Sequence, residues 1–312
     1  MTYLHDTPDF SDLIAIVGRD LSIDPALVEK DYWIMHCLYG LQQMGLSFEL
    51  KGGTSLSKGF GLIHRFSEDI DIQINPTEDL PIGKNQTKPV HVEKRRAFFD
   101  GLAETLSIDG INDIARDTAF DDPRMRSAGI RLNYKSINNV PSGVKDGVLL
   151  EAGFDQVAPN TPCDFTSWAY AHAIKSGVSD LVDNRALSVP CYNPEYTLVE
   201  KLHAISRKFR QQQLSGAMPQ NFMRHYYDVY CLLGHDPVLD FIGSEAYKSH
   251  KTSKFTSNDE VDLSRNEAFV LTDVKTRSQY EAAYDATAAL YYRERPGFSD
   301  ILKRIKDHSQ EL

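Results

Sequence analysis

The stretch from Lys51 to Asp71 reads KGGTSLSKGFGLIHRFSEDID, and it decides the fold. Residues 47–51 have the character of a short strand. The pair Gly52-Gly53 interrupts that strand, and residues 54–61 predict a short helix. The chain therefore passes from a strand through a glycine turn into a helix before it reaches the acidic end of the stretch.

The acidic end begins a second strand. Residues 69–74 alternate as DIDIQI, a period of two that places the isoleucines on one face and the polar side chains on the other. Asp69 and Asp71 therefore share a face, where two carboxylates repel and burial would raise their pKa values. A divalent cation removes that cost, and Mg²⁺ is commonly held by one or two carboxylates together with substrate phosphates. The pattern favours a site for Mg²⁺ or Mn²⁺, with a solvated strand face as the alternative.

The glycine turn suits a bulky anion. Gly52 and Gly53 let the backbone approach closely, and unpaired N–H groups at a helix start point at a phosphate. Thr54 and Ser55 add hydroxyl donors. The turn predicts a triphosphate site, and a tight turn capped by Thr or Ser is the alternative.

The fuller string is more specific than either part. The pattern GGTSLxK followed by RxSEDID resembles the AbiEii/AbiGii-type toxin family of nucleotidyltransferases, which have a polymerase-β-like fold. The segment EKDYW from Glu29 to Trp33 is similar to that family's EKDY segment, and weaker similarity extends to about Tyr230. The resemblance implies that Lys58, Arg65 and Ser67 also belong to the nucleotide site.

What the resemblance implies is a reaction and a biological role. It implies Mg²⁺-dependent transfer of an NMP from an NTP to an acceptor hydroxyl, with the 3′ end of tRNA as the expected acceptor. It also implies a toxin of a toxin–antitoxin or abortive-infection system, which would act in phage defence beside a cognate antitoxin. A nucleotidyltransferase that modifies a protein or small-molecule hydroxyl is one alternative. A regulatory module that binds NTP without catalysis is another.

Further residues are candidates for this site. Glu151 follows an apolar run, where a charge needs a partner, so it is the candidate third metal ligand. A Glu at a strand end on the surface is the alternative, and Asp155 is the competitor for the role. Lys201 borders a helical apolar stripe, where a lysine either extends to solvent or reaches into a site. The resemblance favours a Lys201 that binds the β- and γ-phosphates.

The resemblance also covers the segment RHYYD from Arg224 to Asp228. Asp228 occupies the last acidic place of the family motif and is a candidate catalytic residue that could take the acceptor proton, as could one of the ligand Asp residues. His225 stands where the family has an acid. A surface ion pair between Arg224 and Asp228, four residues apart, is the alternative. Asp31, on an apolar stripe, needs a cation, and Lys58 or Arg65 could supply it.

The coarse architecture follows from periodicity. The pattern predicts an α+β half followed by a helical C-terminal half, and the resemblance implies a polymerase-β-like core with a small mixed sheet and flanking helices. We expect a nucleotidyltransferase domain at residues 1–160 and a mainly helical domain at 161–312 that completes the nucleotide and acceptor cleft, with the boundary near 155–194. Strands are expected at about 129–136 and 147–154, joined as a hairpin.

Composition and charge limit the partners and the cellular location that we expect for this chain. The chain has 312 residues and a formal net charge of -10, which disfavours non-specific binding of nucleic acid. Three basic clusters are predicted to be solvated helix faces, although one could guide an acceptor; they lie at Lys94 to Arg96, Arg207 to Arg210 and Lys303 to Lys306. The four scattered cysteines and the lack of a signal peptide or membrane segment predict a cytoplasmic protein.

Overall fold

The computed structural model describes residues 1–75, 79–83, 85–139, 144–154, 158–293 and 295–312. Within them the chain forms two compact units. Unit 1 consists of Met1–Gly59 and Ser67–Tyr192, and unit 2 consists of Phe60–Phe66 and Asn193–Leu312. Asp155, the competing metal ligand, lies outside the described residues, as does part of the predicted hairpin tip.

Unit 1 is built on one mixed sheet of seven strands. The strands are β1 (Phe48–Lys51), β2 (Asp69–Ile74), β3 (Ile111–Asp117), β4 (Ser127–Tyr134), β5 (Val148–Gly153), β6 (Asn160–Phe165) and β7 (Ala186–Tyr192). Their order is β3-β4-β5-β2-β1-β7-β6. The pairs β2–β5 and β1–β7 are parallel, and the other pairs are antiparallel. The predicted mixed sheet and the antiparallel β4–β5 pair are confirmed.

Five helices belong to unit 1: α1 (Phe10–Leu21), α2 (Pro25–Gln43), α3 (Gly52–Thr54), α4 (Pro89–Thr105) and α5 (Trp168–Lys175). A π-helical turn at Ser55–Gly59 follows α3 directly. Asp24 caps the N-terminus of α2, where its side chain accepts a hydrogen bond from the Ala26 amide. Helix α2 is buried on nearly all sides, so its charged residues must find partners inside the protein.

Helix α4 differs from its predicted stripe. The pattern at Phe98 and Leu102 suggests the inward face, but the buried residues are Arg95, Phe99 and Ala103. Arg95 is fully buried, and its guanidinium donates to the carbonyls of Arg124, Pro81 and Gln86. The prediction that Arg95 lies on a solvated basic face is therefore wrong, because backbone carbonyls satisfy its donors.

The sheet extends beyond the expected end of the first domain. Strands β6 and β7 fall after residue 160, and they add two strands to unit 1. Pro162 lies opposite Pro190 in their ladder. Proline cannot donate to a ladder and weakens a sequence-based strand prediction, which explains why neither strand was expected.

Unit 2 is helical in its second segment, as predicted. Its helices are α6 (Pro194–Ser215), α7 (Phe222–Leu232), α8 (Asp236–Phe241), α9 (Glu245–Lys254), α10 (Glu267–Val270), α11 (Val274–Asp285) and α12 (Phe298–His308). The polar composition of residues 211–220 suggests a linker, but α6 runs through the first half of that segment and ends only where Gly216 adopts a left-handed conformation. No helix within the described ranges has the length and apolar character needed to cross a membrane.

The first segment of unit 2 is the short stretch between the glycine turn and β2. Phe66 donates its amide to the carbonyl of Leu290 at 2.7 Å, and Tyr292 donates its amide to the carbonyl of His64 at 3.2 Å. Arg65 forms an isolated bridge with Tyr291. Three consecutive residues of the stretch that decides the fold, residues 64–66, are thus held by residues more than 200 positions later.

Candidate nucleotide and metal site

The paired carboxylates lie at the middle of the sheet. Asp69 and Asp71 occupy alternate positions of β2, and both are half-buried between isoleucines. Strand β5 runs parallel beside β2, with Glu151 opposite Asp71 and Leu149 opposite Asp69. Because residues in register on adjacent strands share a face, the three carboxylates start from one face of the sheet.

The glycine turn touches this face directly. Gly52 has a φ of +78°, a conformation that favours glycine. A Cβ built on Gly52 would collide with Oδ2 of Asp71. The turn and the carboxylate strand therefore fit together only because residue 52 has no side chain.

The two hydroxyl residues of the turn are used inside the protein. Thr54 donates to the carbonyl of Asp69 at 2.7 Å, and Ser55 donates to the carbonyl of Gly52 at 3.0 Å. Both side chains are buried, as is Gly53. Thr54 thus ties the turn to β2, and Ser55 closes a hydrogen bond within the turn itself. Phosphate binding by Gly53, Thr54 and Ser55, like that by half-buried Ser67, stays a prediction.

Asp69 has an unusual electrostatic environment. Its Oδ1 is buried and accepts no hydrogen bond from any described residue. Lys145 Nζ lies 3.6 Å from that oxygen, too far for a hydrogen bond but close enough for an ion pair. Burial raises the pKa of Asp69 to about 6; Lys145 opposes this shift, and Glu68 and Asp71 add to it.

These residues fit a magnesium ion in part. Across the described ranges, no group of three or more His, Cys, Asp or Glu side chains is arranged to hold a metal ion. The pair Asp69 and Asp71 nevertheless offers oxygen ligands, including a buried oxygen that lacks a hydrogen bond. Mg²⁺ commonly takes one or two carboxylates and completes its shell with water and substrate phosphates. The pair fits that pattern, while Glu151 as third ligand stays a prediction.

Three consecutive charged residues of α2 make buried contacts with the parts of unit 1 that surround the site. Glu29, Lys30 and Asp31 are all almost completely buried. Glu29 accepts hydrogen bonds from the amides of Ile137 and Asn138, after β4. Lys30 donates to the carbonyl of Lys145, and burial lowers the pKa of Lys30 to about 8 although Glu68 and Asp69 act in the opposite direction. Each charge thus ties α2 to a different part of unit 1.

Lys58 is the partner of the third charge. Its Nζ lies 2.8 Å from Oδ1 of Asp31 and 4.4 Å from the ring centroid of Trp168. The amide of Trp168 donates to the other oxygen of Asp31. Of the two cations expected for Asp31, the structure has Lys58. Its ammonium is committed to this pair, which argues for a positioning role and against the predicted contact with nucleotide.

In unit 2 a buried carboxylate joins two cations. Arg65 donates through Nε and Nη2 to the two oxygens of Asp228, each at 2.7 Å, and Lys201 Nζ lies 3.0 Å from Oδ2. Asp228 is completely buried. Burial alone would raise its pKa, but Arg65 and then Lys201 outweigh it and hold the pKa of Asp228 well below its usual range. A buried carboxylate this acidic is a poor proton acceptor, which argues against the predicted catalytic role of Asp228.

The neighbours of Asp228 on α7 correct one prediction. Arg224 and Asp228 are both buried, so a surface ion pair between them is excluded. His225 stands where the family has an acid, and burial together with the positive charge of Lys201 lowers its pKa well below the usual value. His225 is therefore neutral at pH 7.

The basic clusters of unit 2 are less free than their sequence suggests. Arg210 forms an ion pair with Asp259, whose side chain is completely buried, and Arg304 stacks on the ring of Tyr230 with 3.7 Å to the centroid. Arg207 is exposed on α6. A role of this cluster in guiding an acceptor stays a prediction, and Arg210 is the less available of the two arginines because a charge reversal there would also break its ion pair with Asp259.

Sequence reasoning missed Lys30, Glu68 and Lys145. A signal for Lys30 exists in the EKD run itself, since three successive charges cannot all face solvent on a helix that is apolar on every side. Glu68 is part of the matched SEDID string, but the string alone assigns it no role. Lys145 follows a polar turn, and nothing in its sequence context distinguishes it from a surface lysine.

Comparison with known proteins covers most of the chain. The model of a family described as "Nucleotidyl transferase AbiEii toxin, Type IV TA system" matches residues 36–304. No curated protein matches the chain. Among solved structures, an antigenic nucleotidyltransferase-like protein from Paracoccidioides brasiliensis aligns at 14% identity over 85% of this chain and 98% of that chain, with a TM-score of 0.33. This structural likeness is too low to carry an argument.

Proposed function

Because this chain belongs to the AbiEii family of nucleotidyl transferase toxins of type IV toxin–antitoxin systems, we propose that it transfers an NMP from an NTP to a hydroxyl at the 3′ end of tRNA. The transfer forms a bond between the acceptor oxygen and the α-phosphorus and breaks the bond to pyrophosphate. We propose Mg²⁺, or Mn²⁺ in its place, as the metal ion.

One observation supports the proposal above the others. Asp71 Oδ2 occupies the space that a side chain on Gly52 would need, so the glycine turn and the carboxylate strand meet at a single point. A phosphate-binding turn and a carboxylate pair at one place are what an NTP with its metal requires. A tight turn beside a solvated strand face would not require the two elements to approach this closely.

The residues divide the work as follows. Asp69 and Asp71, with Glu151 as an expected third ligand, would hold the metal ion, which when bound neutralises charge on the reacting phosphates. The turn at residues 52–55 would receive the phosphates, and Thr54 would keep the turn against β2. Most of the rate enhancement would then come from positioning and charge neutralisation.

Two assignments concern unit 2, of which the first is supported by its geometry and the second by the family resemblance. Asp228 positions Arg65 and Lys201 and does not take a proton, so the acceptor proton falls to the carboxylate pair of β2. Lys201 as a ligand of the β- and γ-phosphates rests on the family resemblance. The contact of Lys201 with Asp228 supports a fixed position for its ammonium, which is useful to a phosphate ligand.

The acceptor and the biological setting are the finer parts of the proposal. We expect a cognate antitoxin, as the type IV family implies, and activity in the cytoplasm, where NTPs, Mg²⁺ and tRNA occur together. Arg207, exposed on α6, is the remaining candidate of its cluster for contact with acceptor RNA.

The test is transfer of label from each of four α-³²P-labelled NTPs to total tRNA with Mg²⁺. Wild type is compared with Asp69→Asn and with Asp12→Asn, a control at an exposed carboxylate of α1. We expect label on tRNA with wild type and Asp12→Asn, and a loss of at least about a hundredfold with Asp69→Asn, since the metal carboxylates carry charge stabilisation of this order.

Other outcomes assign the protein differently. Label on protein or on a small hydroxyl compound, with none on tRNA, would keep the chemistry and replace the acceptor. Binding of NTP without release of pyrophosphate on any acceptor would indicate a regulatory module. Equal transfer by Asp69→Asn and wild type would remove the proposed catalytic site.

A further inference from the structure

Lys145, in the turn before β5, is fixed in place by two buried charged residues. Its amide donates to Oε2 of Glu68 at 3.1 Å, and its carbonyl accepts from Nζ of Lys30. Glu68 and Lys30 are 2% and 1% exposed. Since buried charges are costly unless they are paired and hydrogen-bonded, the contact of two of them with the backbone of one residue makes the position of Lys145 a built feature of unit 1.

The side chain of Lys145 is directed at the carboxylate pair. Its Nζ lies 3.6 Å from Oδ1 of Asp69 and 4.3 Å from the ring centroid of Phe120. The cation–π contact and the ion pair hold the ammonium between a ring and a carboxylate. Its side chain is 21% exposed, so the charge is only partly screened by water.

The distance between Lys145 and Asp69 has a chemical meaning. At 3.6 Å the ammonium compensates the negative charge of Asp69 without forming a hydrogen bond. Oδ1 therefore keeps its lone pairs for another ligand. A divalent cation that binds there meets a fixed positive charge at short range, which opposes its binding.

We propose that Lys145 is a built-in counter-ion of Asp69 that keeps the free protein from binding a divalent cation tightly, so that the metal ion binds together with the nucleotide. The triphosphate brings negative charge that offsets the repulsion and supplies further oxygen ligands. Lys30 and Glu68 are positioning residues for Lys145. This inference rests on the proposed function, because it takes Asp69 as a metal ligand.

Binding of Mn²⁺, followed by electron paramagnetic resonance, tests the role of Lys145 without any catalytic reaction. The variant Lys145→Met keeps the length of the side chain and removes the charge. The matched control is Lys135→Met, an exposed lysine just after β4. We expect Lys145→Met to bind free Mn²⁺ about tenfold more tightly than wild type, above the roughly fivefold that a fully exposed ion pair could give. We expect Lys135→Met to bind like wild type.

A second series repeats the titration with a non-hydrolysable NTP analogue. The difference between Lys145→Met and wild type should shrink there, because the phosphates offset the charge in wild type. Lys145→Arg, which keeps the charge, should bind free Mn²⁺ as weakly as wild type, and Lys145→Gln gives a second neutral variant if the Met variant does not fold.

The outcomes distinguish a failure of the counter-ion role of Lys145 from a failure of the proposed function. If the neutral variants bind free Mn²⁺ no more tightly than wild type, the counter-ion role is refuted. If Asp69→Asn binds Mn²⁺ as tightly as wild type even with the analogue, Asp69 is not a metal ligand and the proposed function itself fails. Tighter binding by the neutral variants, abolished by adding Asp69→Asn, supports both.

Discussion

The close approach of Gly52 to Asp71 predicts the effect of the substitution Gly52→Ala, for which Gly45→Ala is the control. In Gly52→Ala the new Cβ would collide with Oδ2 of Asp71, so the carboxylate would have to move by about 1 Å or more to reach van der Waals distance. The left-handed backbone of residue 52 adds about 1–2 kcal/mol of strain for a non-glycine residue. Gly45→Ala carries the same strain, with a φ of +72°, but no atom lies within 4 Å of its Cβ.

Comparing these two variants separates the effect of displacing the Asp71 carboxylate from the effect of backbone strain. Both should lose about 1–2 kcal/mol in the free energy of unfolding, measured by urea denaturation. Only Gly52→Ala should also lose about a hundredfold in transfer activity, the scale expected when a catalytic group is misplaced by about 1 Å. Binding of Mn²⁺ with an NTP analogue should weaken in parallel. If Gly52→Ala transfers label within threefold of Gly45→Ala, the proposed contact of turn and carboxylate has no role in the reaction.

Three further predictions concern buried charges. Asp228→Asn removes the carboxylate that Arg65 grips with two hydrogen bonds, so urea denaturation should show a loss of about 3 kcal/mol or more; a loss under about 1 kcal/mol would indicate an ordinary surface-like pair. Lys58→Met strands the buried Asp31 and should cost about 3 kcal/mol, part of which the double variant with Asp31→Asn should recover; no recovery would contradict the pairing. Burial lowers the pKa of His36 to about 4, so folding favours the neutral ring, and the free energy of unfolding should fall by about 3 kcal/mol as the pH drops from 6.5 to 4. His36→Gln should flatten that profile, and an unchanged slope would assign the pH dependence elsewhere.

The parts of the fold that sequence predicts are those with strong local periodicity. The alternation at residues 69–74 predicted β2, and the apolar stripe beside Lys201 predicted α6. The antiparallel pair of β4 and β5 also followed from two apolar runs around a turn. One face or stripe is buried in β2 and α6, and nearly every residue is buried in β5, and both kinds of burial leave a mark in the sequence.

The parts that were missed depend on distant partners or weak patterns. Strand β3 is an edge strand whose residues are mostly half-buried or exposed, so its pattern is faint. Arg65 suited a phosphate by its place in the motif, but its partner Asp228 is 163 positions away. Lys145 owes its position to Glu68 and Lys30, which no spacing rule connects to it. Tertiary contacts between charged groups leave no periodic signal.

The stretch from Phe60 to Phe66 also determines when unit 2 can finish folding during synthesis of the chain. Its hydrogen bonds reach forward to Leu290 and Tyr292, so these seven residues leave the ribosome long before their partners exist. Contacts of such large sequence separation form slowly and late. Unit 2 therefore cannot be completed on a nascent chain shorter than about 290 residues. For a toxin, a fold that closes only after about 290 residues have been made limits the time during which its own synthesis is exposed to its activity.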